Sequence, residues 1–348
     1  MNVVFRTDAS RQIGTGHVMR SLTLAEHLKK QGASVTFICS CLRGHLIDLI
    51  KGYGFQCQSI TPSYDLFEDA NQTKRLIEKE LVDWLIVDHY SLDSKWEKVL
   101  RPYTERIMVI DDLADREHDC DLLLDYQIGS NHHLHYESLV PKDAVKLLGL
   151  KFLLLRPEFI EARKSVKIRQ SVNRLLVSFG GSDKTGESVK VLRALEQLSH
   201  AVTVDVVIGQ DHPFKHWIEE WCAKRSNITC HVSIDYISQL MAKADLAIGA
   251  GGTTTYERAY LGLPALVIET ANNQTGVIQS AEKLGFVQSL GTSETVTTSQ
   301  ITTMIDQLIS LPENVHHMSR NAFELFSSVI DLNEITRWMN GGEAGGSH

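Results

Sequence analysis

At 348 residues, 43% hydrophobic and 22% charged, the chain has enough apolar side chains for two packed cores of roughly 150–170 residues each, and its composition excludes a disordered polymer. A formal charge of −8, from 35 Lys and Arg against 43 Asp and Glu with no long basic run, excludes a nucleic-acid partner that is gripped through its phosphates. No run of about 18 apolar residues and no basic start followed by an apolar stretch is present, so the expectation is a cytoplasmic protein with no membrane partner.

In chain order, the first half alternates β-rich apolar runs at 2–5, 35–39, 84–88, 107–111 and 122–125 with amphipathic stretches, which implies a parallel sheet covered by helices. Val18, Leu22, Ala25 and Leu28 recur at helical spacing, while Arg20, Glu26, Lys29 and Lys30 fall mainly on the other side. The second half repeats the pattern with strands at 175–179, 202–208, 246–249 and 265–268. Both halves therefore read as Rossmann-like, doubly wound α/β domains, one at 1–155 and one at 170–330, joined through the charged stretch 156–173. Residues 341–348, GGEAGGSH, read as a flexible tail or an expression remnant.

The six cysteines show no CxxC pair and no histidine at zinc-finger spacing, so they read as reduced, mostly buried thiols. His132, His133 and His135 cluster, but without a helical His-x-x-x-His pattern a solvated loop fits better than a metal site. No metal and no cofactor are expected.

The first strand leads into a loop that holds Asp8 and Ser10, then Gly14-Thr15-Gly16-His17, and runs into the first helix. At the carboxyl end of a parallel strand such a turn opens onto the crevice where α/β proteins bind ligands, and Gly14 and Gly16 permit close approach of the backbone. His17 then stands near a helix N-terminus, whose dipole disfavours imidazolium and suits a neutral base; Asp8 or Ser10 could orient it. The bland alternative is a histidine that caps the helix or packs on the core. No third glycine follows at Val18 or Met19, which argues against a dinucleotide fingerprint.

In the second half, Gly180-Gly181-Ser182-Asp183 follows one strand, and Gly249 to Glu257 (GAGGTTTYE) follows another and opens a helix. Glycines and threonines at a helix start make a cradle for a diphosphate and can stabilise the charge that builds as it departs. Glu257 could accept bonds from ribose hydroxyls, or could close a capping box with Thr254. Asn272-Asn273-Gln274, after the next strand, would converge on the same pocket.

These segments, together with Asp88-His89-Tyr90, Asp111-Asp112, and Leu155-Arg156-Pro157-Glu158-Phe159, resemble the GT-B superfamily and, more narrowly, the UDP-2,4-diacetamido-2,4,6-trideoxy-beta-L-altropyranose hydrolases of pseudaminic acid biosynthesis. The resemblance spans the chain to about residue 290, and RTDASRQIGTGHVMR, from Arg6 to Arg20, is its most specific part. The carboxyl half alone is also similar to the N-acetylglucosaminyltransferase that makes lipid II, so it implies only a UDP-sugar.

The resemblance implies a GT-B fold with a cleft between its domains, and an inverting, metal-independent hydrolase that cleaves the anomeric C–O bond and releases UDP. It places the base at His17, and Asp8 is a candidate orienter of His17 or of the sugar. UDP contacts fall on Arg156, Gly181, Ser182, Gly252, Thr253, Thr254, Glu257 and Gln274. Sugar contacts are expected among Gly14, Gly16, Arg20, Asp88, His89, Tyr90 and Asp111, although strand-end aspartates such as Asp111 and Asp112 also cap turns or mimic metal motifs. A UDP-sugar and no macromolecule is the expected partner, with the chain a monomer or weak homo-oligomer. Competing readings are a GT-B glycosyltransferase using a UDP-amino sugar, a UDP-sugar 2-epimerase, and a non-catalytic nucleotide-sugar binding protein.

Overall fold

The computed structural model describes residues 1–10, 14–128, 135–181, 183–327 and 330–341. The chain divides into two units, Met1–Leu154 with Val329–His348, and Leu155–Ser328. His132, His133, Ser182 and the tail beyond Gly341 lie outside the described residues.

The first unit is built on seven parallel strands: β1 (Asn2–Thr7), β2 (Ser34–Ser40), β3 (Gln56–Ile60), β4 (Val82–Asp88), β5 (Thr104–Ile110), β6 (Leu122–Asp125) and β7 (Val145–Leu148). Their order, β3-β2-β1-β4-β5-β6-β7, makes the chain wind outward first on one side of β1 and then on the other. The central strands are near-continuous apolar runs because helices cover both faces of the sheet. One of the layers packed on the sheet joins Val4, Leu85, Val87, Val109 and Leu123 to Trp96 and Leu100 of the helix Ser94–Leu100.

The second unit repeats this plan with β8 (Arg174–Ser178), β9 (Thr203–Ile208), β10 (Ile228–Val232), β11 (Leu246–Ala250), β12 (Ala265–Glu269) and β13 (Val287–Thr292), in the order β10-β9-β8-β11-β12-β13. Every pairing is again parallel. In each sheet the winding reverses between two adjacent strands, β1 and β4 in the first unit and β8 and β11 in the second. At such a reversal the helices that follow the two strands leave on opposite faces, and the carboxyl ends stay open as a crevice.

Two features differ from the sequence reading. The stretch 156–173 is not a free linker: it carries the helix Pro157–Arg163, and Arg169, buried, donates to the carbonyls of Met241 at 3.0 Å, Ala244 at 3.1 Å and Leu261. Those bonds tie it into the second unit. The carboxyl-terminal helix Leu332–Met339 returns to the first unit, where Trp84 Nε1 donates to the Met339 carbonyl at 3.0 Å and Lys151 meets Glu334 at 3.0 Å.

Candidate functional site

The reversal between β1 and β4 decides which side chains meet in the first unit. Register places Thr7 beside Asp88, so the loop after β1 and the end of β4 share one corner. Gly14 adopts φ +85°, a conformation that strains residues with a side chain, and its amide donates to the Ser10 carbonyl at 2.9 Å. Gly16 and His17 are the first residues of the helix Gly16–Lys30.

His17 is 4% exposed, and its Nδ1 lies 2.6 Å from Asp88 Oδ1. Asp88 is fully buried and takes two bonds from Arg20, Nε to Oδ2 at 2.8 Å and Nη2 to Oδ1 at 2.6 Å, and one from Ser21 Oγ at 3.1 Å. Burial alone would raise the Asp88 carboxyl, but the Arg20 guanidinium and then His17 outweigh it and hold Asp88 well below the usual carboxylate range. An ionised carboxylate only accepts, so the His17 proton is assigned to Nδ1 and the lone pair to Nε2, and Arg20 Nη2, 3.2 Å from Nδ1, then makes no hydrogen bond to the ring. Among the described residues no hydrogen bond engages Nε2. The edge of Tyr90 packs against the ring, with centroids 4.2 Å apart.

The other residues singled out in this unit separate into distinct jobs. Asp8 does not reach His17. Its Oδ1 accepts from Arg6 at 2.7 Å and from the Ser40 amide at 2.6 Å, and its Oδ2 lies 3.3 Å from His89 Nε2. The reason is in the register: Asp8 follows β1 on the side of β2, whereas β4 carries Asp88 to the histidine. His89 accepts at Nδ1 from the Ser91 amide at 3.0 Å, so both of its ring nitrogens are engaged within the protein. Burial, ahead of the opposing hydrogen bond to Asp8, pulls the His89 pKa down and favours the neutral ring.

Arg20 spends its guanidinium on Asp88, on Asp112 Oδ2 at 2.7 Å and on Tyr126 Oη at 3.2 Å, which makes it a clamp for the histidine's carboxylate. Asp111 accepts from the Ala114 amide at 2.9 Å and from Tyr136 Oη at 3.0 Å and pairs with Arg116 at 2.9 Å, a turn cap rather than an open acceptor. Both Asp111 Oδ1 and Asp112 Oδ1 are buried with no hydrogen-bond partner among the described residues, but Asp111 Oδ1 has the Arg116 ion pair.

In the second unit, β8 ends at Ser178 and is followed by a turn with Gly180, at φ +81°, and Gly181. Asp183 then straps the turn to the helix Glu187–Leu195, accepting from the amides of Glu187 at 2.9 Å and Ser188 at 2.8 Å while His212 Nε2 lies 3.0 Å away. The loop after β11 packs tightly: a Cβ on Gly251 would come within 2.4 Å of the Ile278 side chain, which would have to shift. Gln274 Oε1 accepts from the amides of Gly251 at 3.2 Å and Thr270 at 3.1 Å, so the turns after β11 and β12 do converge, with Gln274 as the tie.

Thr253 and Thr254 begin the helix Thr254–Tyr260, whose cap makes no side-chain hydrogen bond. The capping box is therefore absent, and Glu257 Oε1 instead accepts from Arg156 Nε at 3.1 Å and Nη2 at 2.9 Å. Burial raises the Glu257 pKa against the pull of Arg156. Two residues expected to touch UDP thus touch each other. Gly252 has open space where a side chain would stand, and Thr253 is exposed.

Sequence reasoning missed three elements of this architecture. The Asp183–His212 pair joins positions 29 apart, with no local pattern to reveal it. The Arg6–Asp69 pair, 2.6 Å, hides in the same way. Arg258 had a signal: a charged residue between the buried Tyr256 and Ala259.

No family model matches the chain. It is 28% identical over 288 residues to a Campylobacter jejuni protein named UDP-2,4-diacetamido-2,4,6-trideoxy-beta-L-altropyranose hydrolase, across 82% of this chain and 98% of that one. A Helicobacter pylori protein named pseudaminic acid cytidylyltransferase and UDP-2,4-diacetamido-2,4,6-trideoxy-beta-L-altropyranose hydrolase is 28% identical over 206 residues, 58% of this chain and 36% of its own length. Among solved structures, Acinetobacter baumannii MurG matches with a TM-score of 0.68 at 14% identity, over 98% of this chain and 99% of its own. The fold is GT-B. Arabidopsis thaliana UGT89C1, complexed with UDP, has the same architecture, with a TM-score of 0.67 at 14% identity over 97% and 99% of the two chains. At such identities the structural likeness concerns fold alone, whereas the resemblance to the hydrolases runs through most of the sequence. Among the described residues no helix is long and apolar enough to cross a membrane, and no group of three His, Cys, Asp or Glu side chains is placed to hold a metal ion.

Proposed function

We propose that the chain is a metal-independent, inverting hydrolase of a UDP-amino sugar in pseudaminic acid biosynthesis, acting on UDP-2,4-diacetamido-2,4,6-trideoxy-beta-L-altropyranose. The observation that carries the reading is the buried Asp88 carboxylate 2.6 Å from His17 Nδ1, which leaves Nε2 as the acceptor. The sugar's identity is supported by the names of the relatives.

In this account water loses a proton to His17 Nε2 as its oxygen bonds the anomeric carbon from the face opposite the nucleotide. The anomeric C–O bond breaks, and its electron pair leaves on the β-phosphate of UDP. Asp88 stabilises the imidazolium that results, much as a carboxylate steadies the histidine of a hydrolytic triad. The Asp112 Oδ1 lone pairs are suited to an acetamido N–H of the sugar, and Tyr90 and the backbone at Gly14 and Gly16 to its ring.

The second unit holds the nucleotide. Gly181, Ser182 and the backbone at Gly252, Thr253 and Thr254 receive the diphosphate, and Glu257, steadied by Arg156, accepts the ribose hydroxyls. Gln274 keeps the two turns together. The charge on departing UDP is met by these amides, so no metal is needed.

A glycosyltransferase would use the same nucleotide subsite, and a sensor would have no use for the Asp88–His17 couple. Incubating the chain with the UDP-sugar and no acceptor, followed by NMR, separates them. Equal release of UDP and free sugar supports hydrolysis; release that needs an added acceptor overturns it.

A further inference from the structure

Beside Glu257 the helix Thr254–Tyr260 carries a second charged residue to which the chemistry above gives no task. Arg258 is 2% exposed, and among the described residues its donors reach only neutral acceptors: the Ala250 carbonyl at 2.8 Å, Thr255 Oγ1 at 3.0 Å and Thr254 Oγ1 at 3.4 Å. Its Nε is buried with no hydrogen-bond partner among them. The adjacent carboxylate, Glu257, is bonded to Arg156. The guanidinium lies against the carboxyl end of β11, where the glycine loop begins, since a Cβ built on Gly249 would stand 2.9 Å from Arg258 Nη1. Desolvation pulls its pKa down to about 10, which still leaves it charged at neutral pH.

Burying a cation without a bonded counter-charge is costly, and two other buried arginines avoid it. Arg6 has Asp8 and Asp69, and Arg20 has Asp88 and Asp112. Arg169 lacks a bonded carboxylate but donates to carbonyls at the end of the helix Ile237–Lys243, where the backbone dipole is negative. The Arg258 side chain runs back toward the start of its own helix, where the dipole is positive and adds to the deficit. Glu257 is the nearest opposite charge, but Arg156 already bonds it, so Arg258 favours a further negative charge beside the carboxyl end of β11, from which the glycine loop leaves.

We propose that Arg258 sets the selectivity of the nucleotide subsite for a diphosphate, supplying positive field from beneath the loop while the loop amides make the contacts. The inference deepens the reading of this loop as the UDP subsite and rests on it. Arg258 is a selectivity and positioning residue, not a catalytic one. Its effect falls on ligands in proportion to their phosphate charge and leaves the nucleoside alone.

Titration calorimetry of the unaltered chain, Arg258→Gln and Arg258→Lys with uridine, UMP and UDP tests this, with thermal melts run beside it. The unaltered chain should prefer UDP to uridine by about 100-fold, the size of two charge-assisted interactions. Arg258→Gln keeps a donor for Ala250 and should cut that preference by about tenfold with uridine unchanged, while Arg258→Lys, which keeps the charge, should stay within about threefold. A preference that survives Arg258→Gln overturns the assignment, as does an equal loss for uridine and UDP, which would mark a merely structural arginine. Should Arg258→Gln not fold, the unaltered chain decides: equal affinity for uridine and UDP overturns the inference. An unaltered chain that binds neither ligand overturns the UDP reading itself, whereas UDP binding with an unmoved preference sinks only the role given to Arg258.

Discussion

The corner between β1 and β4 and the loop after β11 occupy equivalent places in their sheets, yet their charges are arranged in opposite ways. In the first, Arg20, Asp88, Asp112 and His17 form one chain of contacts, and Arg6, Asp8, Asp69 and His89 form a second. In the second, glycines and threonines line the backbone, and a buried guanidinium beside them bonds no carboxylate among the described residues. A closed network fixes where a proton sits; an open one is suited to receive charge. Under the function we propose, the same winding of strands would serve proton removal in one unit and stabilisation of a leaving diphosphate in the other.

The sharpest way to break that contrast is His17→Ala. We expect the rate of UDP release to fall by about 10³-fold, within the range for loss of a general base, with UDP affinity changed by less than about threefold. Stopped-flow turnover beside calorimetry checks it, and a matching loss in affinity would show that the two units do not divide the work. Next in size, Asp88→Ala strands the buried Arg20 and should cost about 3 kcal/mol of stability, read from denaturant midpoints. An unchanged midpoint would mean that Asp88 is not the keystone of the closed network.

On the open side, Glu257→Ala should weaken UDP by about tenfold while costing less than about 1 kcal/mol of folding, because no capping bond is lost. A melt that falls as far as the affinity would return Glu257 to a structural role. Smaller still is the effect of Asp183→Asn. Burial would raise the Asp183 carboxyl, but His212 and the amides of Ser188 and Glu187 lower it below its ordinary value. Its contribution is thus complete above the unfolded value of about 3.9 and disappears as pH falls through the lower folded value. The unaltered chain should lose stability more steeply than Asp183→Asn below about pH 4, by about 1 kcal/mol in all, and parallel curves would contradict the assignment. Last, EDTA should leave turnover unchanged, and a chelator-sensitive rate would replace the loop amides with a metal.

How much of this was legible in the sequence follows burial. Every strand read in advance is interior to its sheet, and the four that were missed, β3, β7, β10 and β13, are the four edges. An interior parallel strand such as β4 is covered on both faces and reads as a continuous apolar run, whereas Gln56–Ile60 and Ile228–Val232 are partly open and mix polar with apolar residues. Gly14, Gly16 and His17 were legible because a turn and a helix start are local. The partner of His17 was not, because Asp88 lies 71 positions away and only the pairing of β1 with β4 brings it near. Asp8, close in sequence, was the natural choice and proved to face Arg6 instead. Arg156 and Glu257, 101 residues apart, both stood out as ligands for UDP, and only the folded chain shows that one holds the other.

Water's attack on the anomeric carbon is tested most directly by a single turnover of the UDP-sugar in ¹⁸O-labelled water, with both products read by mass spectrometry. The account predicts one label in the free sugar, none in UDP, and an initial sugar anomer opposite to that of the substrate. Label in UDP would place the break at phosphorus, and the Asp88–His17 couple would then need another purpose.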